Sequence, residues 1–504
     1  MNYGVSVKDC FQLSAEIGGF PAARPSAPPD RKRKGKRMHG KSRFALYFGN
    51  RGFFPASLQK AARDELGSVL SKLGHETISM PFDATRNGAV ETAEEGRKYA
   101  RFLYENKGKF DGVILALPNF GDENGAMAAF ADCEVPILVQ AYPDELDKMA
   151  PALRRDSFCG KFSIMDVFCQ CGIDFTALKP HTVAPSSPAF AANIDHFGRL
   201  CRVVRDCRRL TLGAIGARTT AFKTVRFDEL ALQKRGVTTE CHDLSELFSR
   251  VRALSDSDAK VKDKAAALAK YAKWDSVPEA ARANIAKLGV ALDAMIEEYR
   301  FDCIALRCWM EVEAELKVSP CVLLSELNER GIAAACELDV ANALAMRALA
   351  SASGSPAACL DWNNNYADDE DKCILFHCGP VPQSMMKDKG RIDDHAILAT
   401  SMGPGCAYGC DVGRIKPMPM TYGSILTRDG ELLAFLGEGE FTADPIPDDF
   451  FGCAGVAKIP GMQDMLQSIG YCGFRHHVSV TGSRVMAPAA EAMEKYLGYE
   501  TILF

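Results

Sequence analysis

Long apolar runs are missing from this 504-residue chain. None approaches the roughly 18 to 20 residues that a membrane-crossing helix requires, so no membrane partner is expected. An excess of one charge sign is missing too. The formal charge of −5 gives no electrostatic footprint for a nucleic-acid partner. The chain contains no phosphate-binding Walker loop, no G-x-S-x-G elbow and no H-E-x-x-H pair. Gly403-Pro404-Gly405 precedes Gly409, but without the strand-then-helix setting that a dinucleotide fingerprint needs. Chemistry on ATP, on NAD or through a catalytic serine therefore loses ground. Cysteine is not scarce. There are 19, an odd number, and Cys303, Cys321, Cys336, Cys359 and Cys373 lie inside apolar runs. They read as small buried hydrophobes in a reducing cytoplasm, not as a disulfide framework. Cys169 with Cys171 and Cys406 with Cys410 do not make a tetrad of two close pairs, so a structural zinc is not expected.

A chain of this length exceeds what one hydrophobic core usually covers, which implies two or three domains. Residues 1–41 carry Pro25, Pro28 and Pro29, then the basic run Arg31-Lys32-Arg33-Lys34. No apolar segment follows that would mark a secretory signal. This stretch reads as a disordered basic tail, and Met38 just before the first strand leaves open an over-extended start. Phe44 to Gly49 is a buried strand, 56–73 a helix with apolar residues at helical spacing, and Ile78 to Pro81 a short strand. Val90 to Asn106 is a helix, Gly112 to Leu117 a strand, Ala126 to Ala131 helical, and Val135 to Val139 a strand. The alternation resumes with strands at Leu210–Ile215, Val237–Cys241 and Phe301–Leu306. Helices lie between them at Phe227–Arg235, 257–272 and 278–299. Strands alternating with helices imply parallel, doubly wound sheets. After about 355 short apolar runs dominate, such as Cys373–Phe376, Ser424–Thr427, Leu432–Leu436 and Val478–Val480. The reading is α/β: a tail over 1–41, doubly wound domains over 42–176 and 177–352, and a β-rich domain over 353–504.

Four ionisable groups sit at the ends of apolar runs. Glu337 follows Ala333-Ala334-Ala335-Cys336, Asp361 closes Ala357-Ala358-Cys359-Leu360, His377 closes Ile374-Leu375-Phe376, and His476-His477 opens Val478-Ser479-Val480. A charge at the end of a buried strand is costly unless it is paired, hydrogen-bonded or bound to metal. Each residue alone has a plain structural explanation. Glu337 precedes an Ala-rich helix and can interact with its N-terminus, and a lone histidine beside a strand is commonly a satisfied core residue. Together, two carboxylates and one or two imidazoles suit a divalent ion such as manganese.

Residues 43 to 500 resemble the L-fucose isomerase and L-arabinose isomerase superfamily. Gly49-Asn50-Arg51-Gly52 with Ser57-Leu58 resembles the arginine-bearing sugar-contact loop of fucose isomerases. Ala333 to Asp361 resembles their strand–Glu–helix–strand–Asp metal segment, with the same spacing from Glu337 to Asp361 and a helix ending at Gly354. Pro417 to Glu438-Gly439 resembles a strand pair of that family, and His476-His477 its closing metal histidine. His477 is preferred because an apolar strand follows it directly. His377 departs from fucose isomerases, but its separation from His477 resembles the arabinose isomerases, whose site adds a histidine there. The resemblance implies a metal-dependent aldose–ketose isomerase acting on a free sugar, fucose- or arabinose-like or a modified hexose. Glu337 and Asp361 would be both ligands and acid/base groups, with His477 and His377 as further ligands and Mn2+ as the metal. Arg51, Trp309, Glu311 and His476 are the candidate substrate contacts. Trp309 lies just past the strand ending at Leu306, where it can stack on a sugar face or serve as a core residue. A homotrimer or homohexamer with sites near subunit contacts is also implied. Two rivals stand beside this reading: a non-catalytic sugar-binding protein on the same scaffold, and an enzyme for a sugar carrying an acidic group at C6.

Overall fold

The computed structural model describes residues 42–219 and 221–504, and the tail expected over 1–41 lies outside them. The first sheet contains β1 (Arg43–Phe48), β2 (Glu76–Ser79), β3 (Gly112–Leu117) and β4 (Ile137–Ala141), in the order β2-β1-β3-β4. All its pairings are parallel. The second contains β5 (Leu210–Ile215), β6 (Val237–His242), β7 (Cys303–Leu306) and β8 (Ala333–Ala335), in the order β6-β5-β7-β8 and again wholly parallel. Parallel strands need crossover connections, and helices supply them. β3 and β4 are buried from end to end, which is why they read as continuous apolar runs.

The third sheet has nine strands: β9 (Ala357–Tyr366), β10 (Asp369–His377), β11 (Arg391–Asp394), β12 (Tyr408–Arg414), β13 (Met418–Arg428), β14 (Glu431–Phe441), β15 (Cys453–Lys458), β16 (His477–Thr481) and β17 (Glu500–Leu503). Their order is β11-β12-β15-β10-β9-β16-β13-β14-β17, with an extra pairing of β14 to β15. That pairing closes β15-β10-β9-β16-β13-β14 into a six-membered antiparallel ring. The closing seam is short, with Glu440 opposite Lys458 and Phe441 opposite Ala457. Closure pairs the strands of the ring with one another and leaves β11 and β17 as the edge strands of the sheet. Alternation sorts the side chains of the ring. Leu360, Val478 and Val480 join one apolar cluster with Tyr422 and Phe435. Cys359 faces the other way, into the core shared with the α/β part.

The helix Val340–Ser353 joins the parallel sheets to the barrel. Every residue of it from Val340 to Ala352 is buried, as expected of a helix with apolar surface on all sides. Small side chains at Ala341, Ala343, Ala345 and Ala348 let β8, β9, β13 and β16 pack against it. It ends at Gly354, whose φ of 72° is the left-handed cap that glycine adopts at low cost.

Polar side chains on this helix tie it to its neighbours. Asn342 Oδ1 accepts from Ser424 of β13 and Ser479 of β16. Arg347 pairs with Asp206 at 2.9 Å, and Ser351 donates to the same carboxylate at 2.7 Å. Asp206 belongs to a long helix, Pro188–Cys207, that starts with a Ser187 cap followed by proline.

Burial alone would raise the Asp206 pKa, but Arg347 and Arg205 outweigh it and hold the carboxyl at about 2. A depressed carboxylate contributes stability above its unfolded pKa and loses it as the pH falls toward the folded value. Asp206→Asn leaves Arg347 buried without its countercharge, a loss of about 3 kcal/mol in the usual range for a broken buried pair. The denaturant midpoint should drop at neutral pH. The gap to the parent should close as the pH is lowered from about 5 toward 2; a gap independent of pH would contradict the assignment.

Candidate metal centre and active site

The carboxyl ends of β5, β7 and β8 face the barrel pair β9–β16. Crevices outside the carboxyl ends of parallel strands are where α/β sheets bind ligands. β8 is followed by Cys336 and then by two non-glycine residues in the left-handed region, Glu337 at φ 59° and Leu338 at φ 60°. Such a pair costs on the order of 1 kcal/mol or more per residue and persists where its surroundings fix it. Here the Leu338 N–H donates to Leu306 O and the Asp339 N–H to Cys336 O. The turn places Glu337 against Trp309 from the end of β7, whose indole Nε1 donates to Glu337 Oε1 at 3.0 Å.

From the barrel, Asp361 of β9 and His477 of β16 are direct partners in the antiparallel register. His477 Nε2 lies 2.9 Å from Glu337 Oε2 and 3.4 Å from Asp361 Oδ1. These contacts lack hydrogen-bond geometry, so His477 Nε2 and Asp361 Oδ1 are buried polar atoms with no hydrogen-bond partner. Glu337, His377 and His477 offer ligand atoms within 4.8 Å of one another, and so do Asp361, His476 and His477. The three predicted residues Glu337, Asp361 and His477 therefore meet.

Asp339, absent from the sequence reading, orients them. It is 0% exposed. Its carboxylate accepts from His477 Nδ1 at 2.8 Å, Arg475 at 2.6 Å, and Asn342 through both its backbone N–H and its side chain. With Nδ1–H donated to a carboxylate, Nε2 of His477 faces Glu337 and Asp361 and turns a lone pair to them in the neutral ring. This is the carboxylate–histidine arrangement that commonly stands behind a metal ligand. His377 is held differently: its Nδ1 accepts from the Cys378 backbone N–H at 2.9 Å. The neutral ring then carries its proton on Nε2, a buried atom with no partner. His377 presents a donor to the site in this tautomer, and becomes a ligand through Nε2 only when the proton moves to Nδ1.

Electrostatics agree with a cation-binding cluster. Burial would lower the pKa of His477, but the carboxylates of Asp339 and Glu337 raise it to about 10. His377 is likewise raised to about 9 against burial, by Cys378, Asp361 and Glu337. Burial pushes Asp361 up, and the nearby histidines do not fully offset this. Burial would also raise Glu337, but His477 and His377 bring it below the usual value. Three acidic side chains converge here with Arg475 as the countercharge to Asp339, so a further positive charge is stabilised. The donor set, two carboxylates and an imidazole with unpartnered ligand atoms, fits a divalent cation.

The other predicted contacts divide. His476 is half-exposed, 3.9 Å from Asp361. The ring of Phe222, in the loop after β5, lies 5.7 Å from Trp309, 5.3 Å from His476 and 5.7 Å from His477. Glu311 pairs with Arg307 at 2.5 Å and does not contact the cluster. Arg51 lies beyond β1, where it pairs with Glu123, donates to Gly121 O and covers the Phe120 ring. None of these Arg51 contacts reaches Glu337.

Comparison with known families follows the same architecture. A fucose/sulfoquinovose isomerase N-terminal domain matches residues 45–208, and an L-fucose isomerase C-terminal domain matches residues 375–503. The sulfoquinovose isomerase of Alkalicoccus urumqiensis is 22% identical over 402 residues, covering 76% of this chain and 84% of that protein. That of Priestia aryabhattai is 22% identical over 420 residues, covering 80% and 88%. That of Clostridium sp. (strain MSTE9) is 26% identical over 263 residues, covering 51% and 57%. The class is that of the aldose–ketose isomerases. The chain belongs to the fucose isomerase-like family.

Asp339 gives the test of this geometry. Asp339→Asn keeps the shape but removes the charge that holds His477 in its tautomer. Affinity for Mn2+, measured by calorimetric titration of protein whose circular dichroism matches the parent, should fall roughly 10- to 100-fold. Unchanged affinity would mean that His477 is not a ligand.

Proposed function

We propose that the protein is a metal-dependent isomerase that converts a free aldose carrying an anionic group at C6, of the sulfoquinovose type, to its ketose. The observation that carries the reading is the convergence of Glu337, Asp361 and His477, with Asp361 Oδ1 and His477 Nε2 buried without a hydrogen-bond partner. These three residues hold the cation, with Mn2+ the preferred ion, and His377 stands beside them as a proton donor or a fourth ligand. A divalent cation in this position supplies positive charge to neighbouring sugar oxygens and lowers their pKa.

The chain's own groups handle the protons. Isomerisation through an ene-diolate moves one proton from C2 to C1 and another from O2 to O1. Two carboxylates on opposite walls of the crevice suit that division: one exchanges the carbon-bound proton and the other serves the oxygens. Trp309 fixes Glu337 by its indole N–H, which places an aromatic ring beside the crevice. The Phe222 ring packs against both histidines. A non-catalytic sugar-binding protein on this scaffold is not favoured, because every ligand position retains a competent side chain.

The names of the relatives support the sulfonated substrate. So does the composition of the loop that carries Phe222: Lys223 follows it directly and is exposed, as is Arg226. Family resemblance also implies a homotrimer or homohexamer, and Phe53, two residues from Arg51, is 79% exposed. A site completed by a second copy also accounts for the position of Arg51 away from Glu337 in this chain.

Purified protein should form ketose from sulfoquinovose, lose activity in a chelator and regain it with Mn2+. Glu337→Gln and Asp361→Asn should each lower kcat by about 10²- to 10⁴-fold. Retention of parental turnover by both variants would eliminate the proposed chemistry. Lys223→Met should raise KM for the sulfonated sugar about tenfold, the effect of losing one charged hydrogen bond, and leave a neutral hexose unaffected. An equal change for both sugars would remove Lys223 from substrate selection.

A further inference from the structure

Immediately behind the carboxylate cluster lies a group of thiols that the isomerase chemistry does not use. Cys308 follows β7, Cys336 follows β8, Cys378 follows β10, and Cys321 opens the helix Cys321–Glu329. Four separate elements thus bring four cysteines together, which is why spacing along the chain does not show them. Cys336 Sγ is 3.1 Å from Cys308 Sγ, and Cys321 Sγ is 3.6 Å from Cys378 Sγ. His377 Nδ1 is 3.2 Å from Cys378 Sγ. The ligand atoms of Cys336, His377 and Cys378 all fall within 4.8 Å of one another. Cys308, Cys321 and Cys336 are buried, and Cys378 is only partly so.

We propose that Cys336, Cys378 and His377 form a second cation site, for a soft d10 ion such as zinc or copper(I), with Cys321 available as a further sulfur. Three considerations lead there. Isolated buried cysteines act as small hydrophobes and scatter through a core, whereas these meet one another and an imidazole. Sulfur and imidazole donors select soft or borderline ions and leave manganese to carboxylates. The geometry also fits: zinc–sulfur bonds of about 2.3 Å in a tetrahedron separate two sulfurs by about 3.8 Å. The Cys321–Cys378 separation of 3.6 Å is close to that value, and the ligand atoms of Cys336, His377 and Cys378 lie within 4.8 Å of one another. His377 Nδ1 lies on this side, 3.2 Å from Cys378 Sγ, and binds an ion by giving up the hydrogen bond it accepts from the Cys378 backbone N–H. Ion binding releases the two thiol protons of Cys336 and Cys378 to solvent and forms two metal–sulfur bonds and one metal–nitrogen bond, with no change of oxidation state.

The site lies one residue from Glu337 along the chain, but its existence does not depend on isomerase activity, and its test is spectroscopic. The full chain carries Cys169→Ser and Cys171→Ser, which remove two exposed thiols, and is loaded with Mn2+ under a phosphine reductant. Titration with Cd2+ should then bind one equivalent and produce an ultraviolet thiolate-to-cadmium charge-transfer band. The added substitutions Cys336→Ser and Cys378→Ser should abolish that band, while Glu337→Gln should preserve it. A band of undiminished strength in the double serine variant overturns the proposal. Should that variant fold poorly, cadmium-edge X-ray absorption of the unsubstituted cluster decides independently. Two sulfurs and at least one nitrogen in the inner shell support the site, and a shell of oxygen alone overturns it.

Discussion

A carboxylate shut away from water has to be matched by positive charge or by several hydrogen bonds, and in this protein that demand falls on Asp339. Placed between the strained turn at Glu337 and the first turn of the central helix, it gathers Arg475 and His477 from one segment and Asn342 from another. Because Arg475 and His477 lie just before and at the start of β16, satisfying Asp339 also docks the barrel against the end of the second parallel sheet. The same contact fixes the proton on Nδ1 of His477 and leaves the other nitrogen facing Asp361 and Glu337. Fold and chemistry are joined through one buried charge, and removing it would disturb both.

The central helix carries this logic inward. Its alanines allow three layers to approach closely, while Asn342, Arg347 and Ser351 each answer a polar group on a neighbouring element. Buried polar groups that are fully satisfied restrict the number of arrangements a core can adopt. A crevice assembled from β7, β8, β9 and β16 needs such restriction, since its acidic and imidazole groups come from elements more than a hundred residues apart.

Much of this architecture is legible in the amino-acid sequence, for physical reasons. β3 and β5 are read to the residue because parallel strands buried along all or nearly all their length stand out as apolar segments, interrupted in β5 only by Thr211. The strand expected over Ile78–Pro81 lies at Glu76–Ser79, since an edge strand that is only partly covered has no apolar run to mark its bounds. β13 and β14 extend well beyond the expected short runs, because their outer residues alternate between faces. The helix Pro188–Cys207 escapes a reading based on apolar period, although its Ser-Pro start is a usable signal. Glu337, Asp361 and His477 stand out as charges at the ends of apolar runs. Asp339 resembles an ordinary helix cap, and its partner Arg475 an ordinary charge beside two histidines. The grouping of Cys308, Cys336 and Cys378 exists only once β7, β8 and β10 are brought side by side.

The closed ring of strands has a built-in polarity. Its shortest joint, where Glu440 and Phe441 meet Lys458 and Ala457, lies diametrically across from the joint between β9 and β16. The seam is matched at two residue pairs and the β9–β16 joint at five, so the strands that carry Asp361 and His477 share a longer ladder than the one that shuts the ring.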